Sequence, residues 1–305
     1  MPRAPRMFLA VVAVVAVLAV LATPPRGRAA EPMPTELVYT AFTVLRVNPL
    51  GLQTQLDLDW RIPLFNGGDN PLFANNFASI GLSPILSPAL TRLGVAAKLQ
   101  PLALLKLEAR WEYLSWFGNF DMLQSFPDAD ADFSDTALRA NGRVQGQYPT
   151  DGWQLTLDAE LRAKLGPFIA RDRFRAARVS ADLRAGDAVF YDQFFDLMMP
   201  RDGWFYTNDA DLLLEVAPRV LLGARWTFMA ADLPNGQDLA RATTHRVGPF
   251  LAWTFFDEPG AAFNRPTLLA MANWYLQHPW RTGQDVAQAI PYVLVGFSFG
   301  GRLLP

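Results

Sequence analysis

Residues 153–165 read WQLTLDAELRAKL. Trp153, Leu155, Leu157, Ala159, Leu161, Ala163 and Leu165 alternate without a break with Gln154, Thr156, Asp158, Glu160, Arg162 and Lys164. Wound into a helix, both sets would scatter around the circumference; drawn out as a strand, they part onto opposite faces. The same period of two runs through 52–62, where Leu52, Leu56, Leu58, Trp60 and Ile62 alternate with Gln53, Gln55, Asp57, Asp59 and Arg61. It returns in 103–113, with Ala103, Leu105, Leu107, Ala109, Trp111 and Tyr113 on one face and Leu104, Lys106, Glu108, Arg110 and Glu112 on the other. These runs are eleven to thirteen residues long. Soluble strands usually have ~5–6 residues, whereas a tilted strand that crosses a membrane needs ~9–11. A soluble β-sandwich has one polar and one apolar face as well, but is usually built from shorter strands. Lipid offers backbone groups no hydrogen-bond partner, so a sheet that crosses it must close on itself. The expected fold is all-β: an antiparallel transmembrane β-barrel of about twelve strands.

Composition agrees. Of 305 residues, 51% are apolar and 18% charged, and the formal net charge is −2. That is too apolar for a disordered chain and leaves no basic footprint for nucleic acid. Cysteine is absent, which excludes disulfides, thiolate metal sites and cysteine nucleophiles, and the two histidines are His245 and His278. Arg3 and Arg6 precede an unbroken apolar run from Met7 to Ala22, the pattern of a secretory signal. Its sixteen residues make roughly 24 Å of helix against a ~30 Å hydrocarbon core, short for a membrane anchor. Residues 1–30 are therefore expected to be a signal peptide, cut after Ala22 or Ala30, which places the rest of the chain outside the cytoplasm.

Compact turns at 48–51, 100–102, 149–152, 185–187 and 217–219 carry the Pro, Gly, Asn and Asp that reversals need. Longer segments lie at 66–88, 118–135, 166–174, 197–207, 232–243 and 279–290. Bacterial barrels put short turns at the periplasmic side and long loops outside. On that rule the strands are 52–65, 89–100, 102–117, 136–148, 153–166, 175–184, 188–196, 208–217, 219–231, 244–256, 266–278 and 291–300. Residues 36–47 are also strand-like, but a strand there, ending in a periplasmic turn at Asn48–Gly51, would have to start outside. The reading therefore divides the chain into a signal peptide at 1–30, a periplasmic or lumenal segment at 31–47, and a barrel at 48–305. Aromatic clusters beside the loops, among them Trp111, Trp116, Trp204, Trp253, Trp274 and Trp280, suit the headgroup level of a membrane.

With those elements placed, the chain resembles the monomeric twelve-stranded outer-membrane barrels of Gram-negative bacteria, which include small-solute channels and one phospholipase group. The stretches Gly248–Phe256, Phe263–Pro266 and Trp274–His278, with the Asn48–Leu52 turn, are similar to barrel proteins of unassigned function in myxobacteria and relatives. The resemblance implies a fold and a location in the outer membrane, with outer-membrane lipid and the barrel-assembly machinery as partners. The terminal phenylalanine typical of such barrels is replaced by Phe299 followed by Gly300–Pro305, so either Phe299 serves with a tail or assembly recognition differs.

The face turned from lipid is heavily charged. Its basic positions are expected to be Arg61, Arg92, Lys98, Lys106, Arg110, Arg139, Arg143, Arg162, Lys164, Arg178, Arg184, Arg225 and Arg246, against Asp57, Asp59, Glu108, Glu112, Asp158, Glu160, Asp182 and Glu215. Cations exceed anions by five, thirteen to eight, and a low-dielectric wall focuses such a field, so a water-filled lumen would attract anions. The leading expectation is passive passage of small anionic or zwitterionic solutes. The alternative is a non-conducting structural or surface-binding barrel, its charges paired across strands and its loops 66–88 and 118–135 the contact surface. A membrane-lipid hydrolase is third: neither histidine has a neighbouring serine, and His278 is expected at the outer interface beside Trp280. No cofactor is expected. Asp128, Asp130 and Asp132 could collect calcium, but lack the glycine and distal glutamate of a helix–loop–helix site and read better as a solvated acidic loop.

Overall fold

The computed structural model describes residues 35–66, 70–73, 75–144, 146–234, 242–283 and 289–304; the expected signal peptide lies outside them. In chain order the strands are β1 (Glu36–Val47), β2 (Gly51–Pro63), β3 (Phe77–Leu82), β4 (Ile85–Leu86), β5 (Leu90–Leu102), β6 (Leu105–Phe117), β7 (Ser125–Phe126), β8 (Pro149–Leu165), β9 (Phe168–Ala181), β10 (Val189–Asp192), β11 (Leu197–Pro200), β12 (Asp202–Ala217), β13 (Val220–Ala231), β14 (Thr243–Thr254), β15 (Asn264–Gln277) and β16 (Tyr292–Leu304). Among the described residues one α-helix, α1 (Asp135–Arg143), follows β7, and a single 3-10 turn lies at Pro71–Phe73.

Twelve wall strands form a closed antiparallel ring, with β3 and β4 as two halves of one wall strand. Around the ring the order is β1, β2, β3 with β4, β5, β6, β8, β9, β12, β13, β14, β15 and β16. β16 then returns to β1, from Leu37 opposite Leu304 to Val47 opposite Val293. Between β3 and β4 the amide of Ser83 donates to the Gly94 carbonyl and that of Leu56 to the Pro84 carbonyl, so the ladder continues across the break.

Glu36 and Leu304 lie at the same end as the tight turns 103–104, 166–167 and 218–219, whereas segments 118–148, 182–201 and 278–291 gather at the other. Short turns mark the inner end of bacterial barrels. Alternate residues face outward as an apolar coat: Leu56, Trp60, Ile80, Leu93, Val95, Leu157, Phe174, Leu212, Leu222 and Val295 are all exposed. No water-facing surface of that extent is stable on a soluble monomer, and the closed ladder leaves no unpaired edge for lipid. The chain spans a membrane.

Four expectations need correction. Residues 36–47 are wall strand β1, hydrogen-bonded on both sides, and the Asn48 turn lies at the outer end. A compact turn there reads as periplasmic because its length resembles the inner ones; the outer loops simply include two short members, at 48–50 and 87–89. Residues 77–86, taken as loop, are wall. Residues 136–148 contain α1 and 188–196 contain β10, neither of which is wall. Two strands missed and two misassigned offset each other, which is how the total of twelve survived. The segment 66–88 is thus no outer contact surface: it joins an inner-end loop to a wall strand.

The outer loops fold into the barrel. β10 and β11 form a hairpin inside the mouth, and β7 adds a third strand to it. Phe190, Leu197 and Met199 are almost fully buried between the hairpin and the wall residues Leu114, Trp116, Ala177, Val179, Phe205 and Met229, while Val189 and Met198, equally buried, face the other way. On the hairpin's other face Ala129, Phe133 and Leu138 close the layer. Leu138 is the buried side of α1, whose start is capped by the Ser134 hydroxyl accepting from the Ala137 amide at 3.3 Å. The core therefore sits at the outer end, as a plug.

Val95 faces outward near the middle of β5. Val95→Arg is expected to destabilise the barrel by about 2–4 kcal/mol, read from urea unfolding in lipid vesicles.

Candidate functional site

Below the plug lies a chamber of about 530 Å³. The inward faces of β2, β5, β6, β8, β9, β12 and β13 supply most of its charges, and these are paired, chiefly from strand to strand. Lys98 Nζ lies 2.9 Å from both Asp57 and Asp59. Arg110 meets Glu108 at 2.5 Å. Asp158 is shared by Arg173 at 2.7 Å and Arg175 at 3.3 Å, and Asp211 by Arg171 at 2.5 Å and Arg225 at 2.6 Å. The carboxylates of these pairs sit close against the wall; Asp59, Glu108, Asp158 and Asp211 are all buried. The longer guanidinium groups reach past them. The surface that a solute would meet is consequently cationic: Arg46, Arg92, Arg110, Arg171, Arg173, Arg175, Arg225 and Arg246 line the chamber, against Glu112 and Asp209.

Most of the charged positions expected to face inward do so. Arg92, Arg110, Glu112, Arg225 and Arg246 line the chamber, and Asp57, Asp59, Lys98, Glu108 and Asp158 stand behind it. Arg61, Lys106, Glu160 and Arg162 ring a space of about 710 Å³ at the inner mouth. Lys164 and Glu215 pair at 2.5 Å on the inner rim. Five expected positions do not belong to the lumen. Arg139 and Arg143 are on α1, Asp182 and Arg184 follow the end of β9, and Arg178 points outward to Asp202 at 2.8 Å. For Arg178 the cause is a one-residue slip. Residues 166–174 look like a polar loop, but β9 already begins at Phe168. A one-residue shift exchanges the two faces of a strand, so the inward arginines are Arg171, Arg173 and Arg175. Their alternation with Asp172 and Phe174 was the available signal. The reading also omits Arg46, on a strand it does not place in the wall, and Asp209 and Asp211, which share the inward face of β12 with Glu215.

The aromatic expectations also divide. Trp111, Trp204, Trp253 and Trp274 are on outward positions of the wall. Trp116 faces inward and packs edge-on against Phe190 of the plug, with ring centroids 5.7 Å apart. Trp280 lies in the 278–291 segment, against Phe133. Asp128 and Asp132 accept from the backbone amides of Asp130 and Ser134 at 2.9 and 2.7 Å, forming local turns.

His278 is in the plug, not at the membrane interface. It belongs to a buried network centred on Asp196, in the bend of the β10–β11 hairpin. Asp196 accepts from Tyr191 Oη at 2.8 Å, Tyr275 Oη at 2.8 Å and Arg281 Nε at 2.6 Å, and His278 Nε2 lies 3.2 Å from its Oδ2. Arg281 continues to Asn48 Oδ1 at 2.5 Å and Asp135 Oδ1 at 3.0 Å. One carboxylate thus ties the β1–β2 turn, α1, the hairpin and the 278–283 segment together. Burial alone would raise the Asp196 carboxyl, but His278 and Arg281 outweigh it and hold it well below its ordinary value of 3.8. His245 lies elsewhere, on the wall, stacked on Trp226 at 5.8 Å.

The hairpin tip meets the wall through Arg92, 3.5 Å from Asp192, and through Arg46, whose Nη1 donates to the Phe194 carbonyl at 2.7 Å. Arg46 also stands over the Phe194 ring at 4.7 Å. Consecutive tip residues divide two spaces: Phe194 lines the chamber, and Gln193 an outer groove of about 630 Å³.

No protein-family description matches the chain, and no curated protein matches it in sequence. Solved structures resemble it in barrel form. A NanC porin is 8% identical over 87% of this chain and 100% of its own, with a TM-score of 0.40. Omp33 of Acinetobacter baumannii is 11% identical over 90% of this chain and 100% of its own, with a TM-score of 0.38. The β domain of the Bordetella autotransporter BrkA is 12% identical over 88% of this chain and 98% of its own, with a TM-score of 0.40. The chain's own ladder and apolar coat make it a closed transmembrane β-barrel. Solute and chemistry rest on its own residues.

Asp196→Asn keeps the shape of the bend and removes the charge opposite Arg281 and His278. The expected loss is about 3 kcal/mol, the cost of removing one partner of a buried ion pair, seen as faster amide exchange across β10 and β11 with the wall strands unchanged. Because the folded-state value of Asp196 is depressed, its contribution is complete at neutral pH and disappears only as pH falls below about 4. Exchange in the hairpin is therefore expected to be flat from pH 7 to about 5, after correction for intrinsic rates, and to rise below about 4.

Proposed function

We propose that this barrel is a passage for small anions, gated at the tip of the inward-folded hairpin. The observation that carries the reading is the imbalance at the chamber surface, where eight arginines face two carboxylates. A cationic surface enclosed by a low-dielectric wall concentrates anions and repels cations. Solutes would enter through the inner mouth between Arg61, Lys106, Glu160 and Arg162 and reach the tip at Phe194. The gate in this reading is the Arg46–Phe194 contact, which can open by side-chain motion without withdrawing the hairpin.

A second reading, a non-conducting barrel, is favoured by the hairpin's burial. Removing Val189, Phe190, Leu197, Met198 and Met199 from their contacts would cost on the order of 10 kcal/mol at ~1.5–3 kcal/mol each. That exceeds the few kcal/mol separating readily populated states, so any opening must spare the hairpin's body.

Planar-bilayer recording under a salt gradient tests both. The first reading expects discrete, anion-selective steps from the wild type and larger steps from Phe194→Ala. Silence from both, with protein verified as folded by heat-modifiable migration, would leave the non-conducting barrel. Cation-selective steps would remove the arginine filter from the account.

A further inference from the structure

The chamber is not uniformly cationic. Six of its eight arginines lie on β5, β6, β9 and β13, three of them on β9, and the other two are Arg46 of β1 and Arg246 of β14. Phe42 and Val44 of β1, Phe250 of β14, Leu269 and Met271 of β15 and Leu294 of β16 lie on the other side, where the one arginine of β1, Arg46, is turned to the hairpin tip at Phe194. In a ring of twelve, β9 is six strands from β1, so the cationic and apolar sides face each other across the chamber. Arg246 stands at their border.

Arg246 differs from the other wall arginines. It is 92% buried, being 8% exposed, and its Nε and Nη1 are buried without a hydrogen-bond partner. Among the described residues no carboxylate lies within ion-pair distance of it; its guanidinium sits instead 3.8 Å from the centroid of the Tyr292 ring. Asn273, which faces Tyr292 across the β15–β16 ladder, is fully buried with both amide atoms unpartnered, and the Thr244 hydroxyl, two residues before Arg246, is likewise without a partner. Buried polar atoms are almost always satisfied, and a buried charge even more so. Orphaned donors beside a cavity that one of them lines point to a missing acceptor. A guanidinium presents its donors in a planar fork that fits a carboxylate.

We propose that the chamber binds an organic carboxylate with an apolar body, its charged end taken by Arg246 and its body laid against Phe250, Met271 and Leu294. The inference rests on the chamber being the anion-taking part of the passage, and names the class of solute. A simple inorganic anion would satisfy the arginines and leave the apolar side unused; a neutral apolar molecule would leave Arg246 unpaired. Asp209 and Glu112, which also line the chamber, disfavour a second negative charge. The volume of about 530 Å³ is within the range of small-molecule pockets, ~300–1,000 Å³.

The test is equilibrium titration of the full chain in lipid nanodiscs, by calorimetry, with three probes: phenylacetate, acetate and neutral phenylacetamide. Phenylacetate is expected to bind at least tenfold more tightly than either of the others. Arg246→Met should lose at least tenfold, Arg246→Lys should recover part of it, and Arg178→Gln, on the outer face, should leave binding unchanged. Heat-modifiable migration verifies that each variant is folded. Equal affinity for phenylacetate and acetate, or full affinity in folded Arg246→Met, would overturn the proposal. Saturable phenylacetate binding without bilayer current would uphold it and overturn the passage; anion-selective current without preferential phenylacetate binding would do the reverse.

Discussion

Hydrocarbon accepts and donates no hydrogen bonds. From that constraint the ring follows, since every wall strand must satisfy its backbone in its neighbours and the last must find the first. The period of two follows as well, because each strand then has one face for lipid and one for the interior. With the outer face committed to apolar residues, all of the chain's polar chemistry is forced inward or to the two ends. The crowding of ionic groups inside the barrel is in this sense a geometric consequence of closing it.

Inside, side-chain length decides which charge meets the solute. Asp158 and Asp211 are short and remain at the wall, each bridging two arginines on neighbouring strands. The arginines are long enough to pair backward and still present their outer edges to the chamber. Near balance in the number of charges thus coexists with a strongly cationic surface. A pairing network and a solute path are often treated as alternatives; here the first creates the second. The plug obeys a different logic, built from apolar burial around a single ionic hub, and closes the outer end while leaving the inner end wet.

Alternation made most of the wall readable. β2, β6 and β8 could be placed with the correct face inward because their polar residues are mixed in sign and their apolar partners are large. β9 could not, because Arg171, Asp172 and Arg173 look like loop, and its outward face carries the small residues Ala170 and Ala176 beside Phe174. β3 and β4 are hidden by Pro84 and the glycine at 81, and β1 by an assumption about its turn. The plug was beyond a local reading altogether. β10 and β11 are four residues each, and what makes them interior is contact with other strands, among them Leu114 and Trp116 of β6 and Phe205 of β12. The Asp196 hub joins Asn48, Asp135, His278 and Arg281, a constellation with no spacing to recognise.

That hub has a bearing on how the outside of the molecule can change. Arg281 is gripped from beneath by a carboxylate that solvent does not reach, and it in turn holds Asn48 and Asp135. The surface residues above them are held by their backbone's attachment rather than by their own identity. Exposed positions of the outer loops are therefore free to vary in sequence, and with them whatever the outside world recognises, while the architecture that shuts the barrel stays the same.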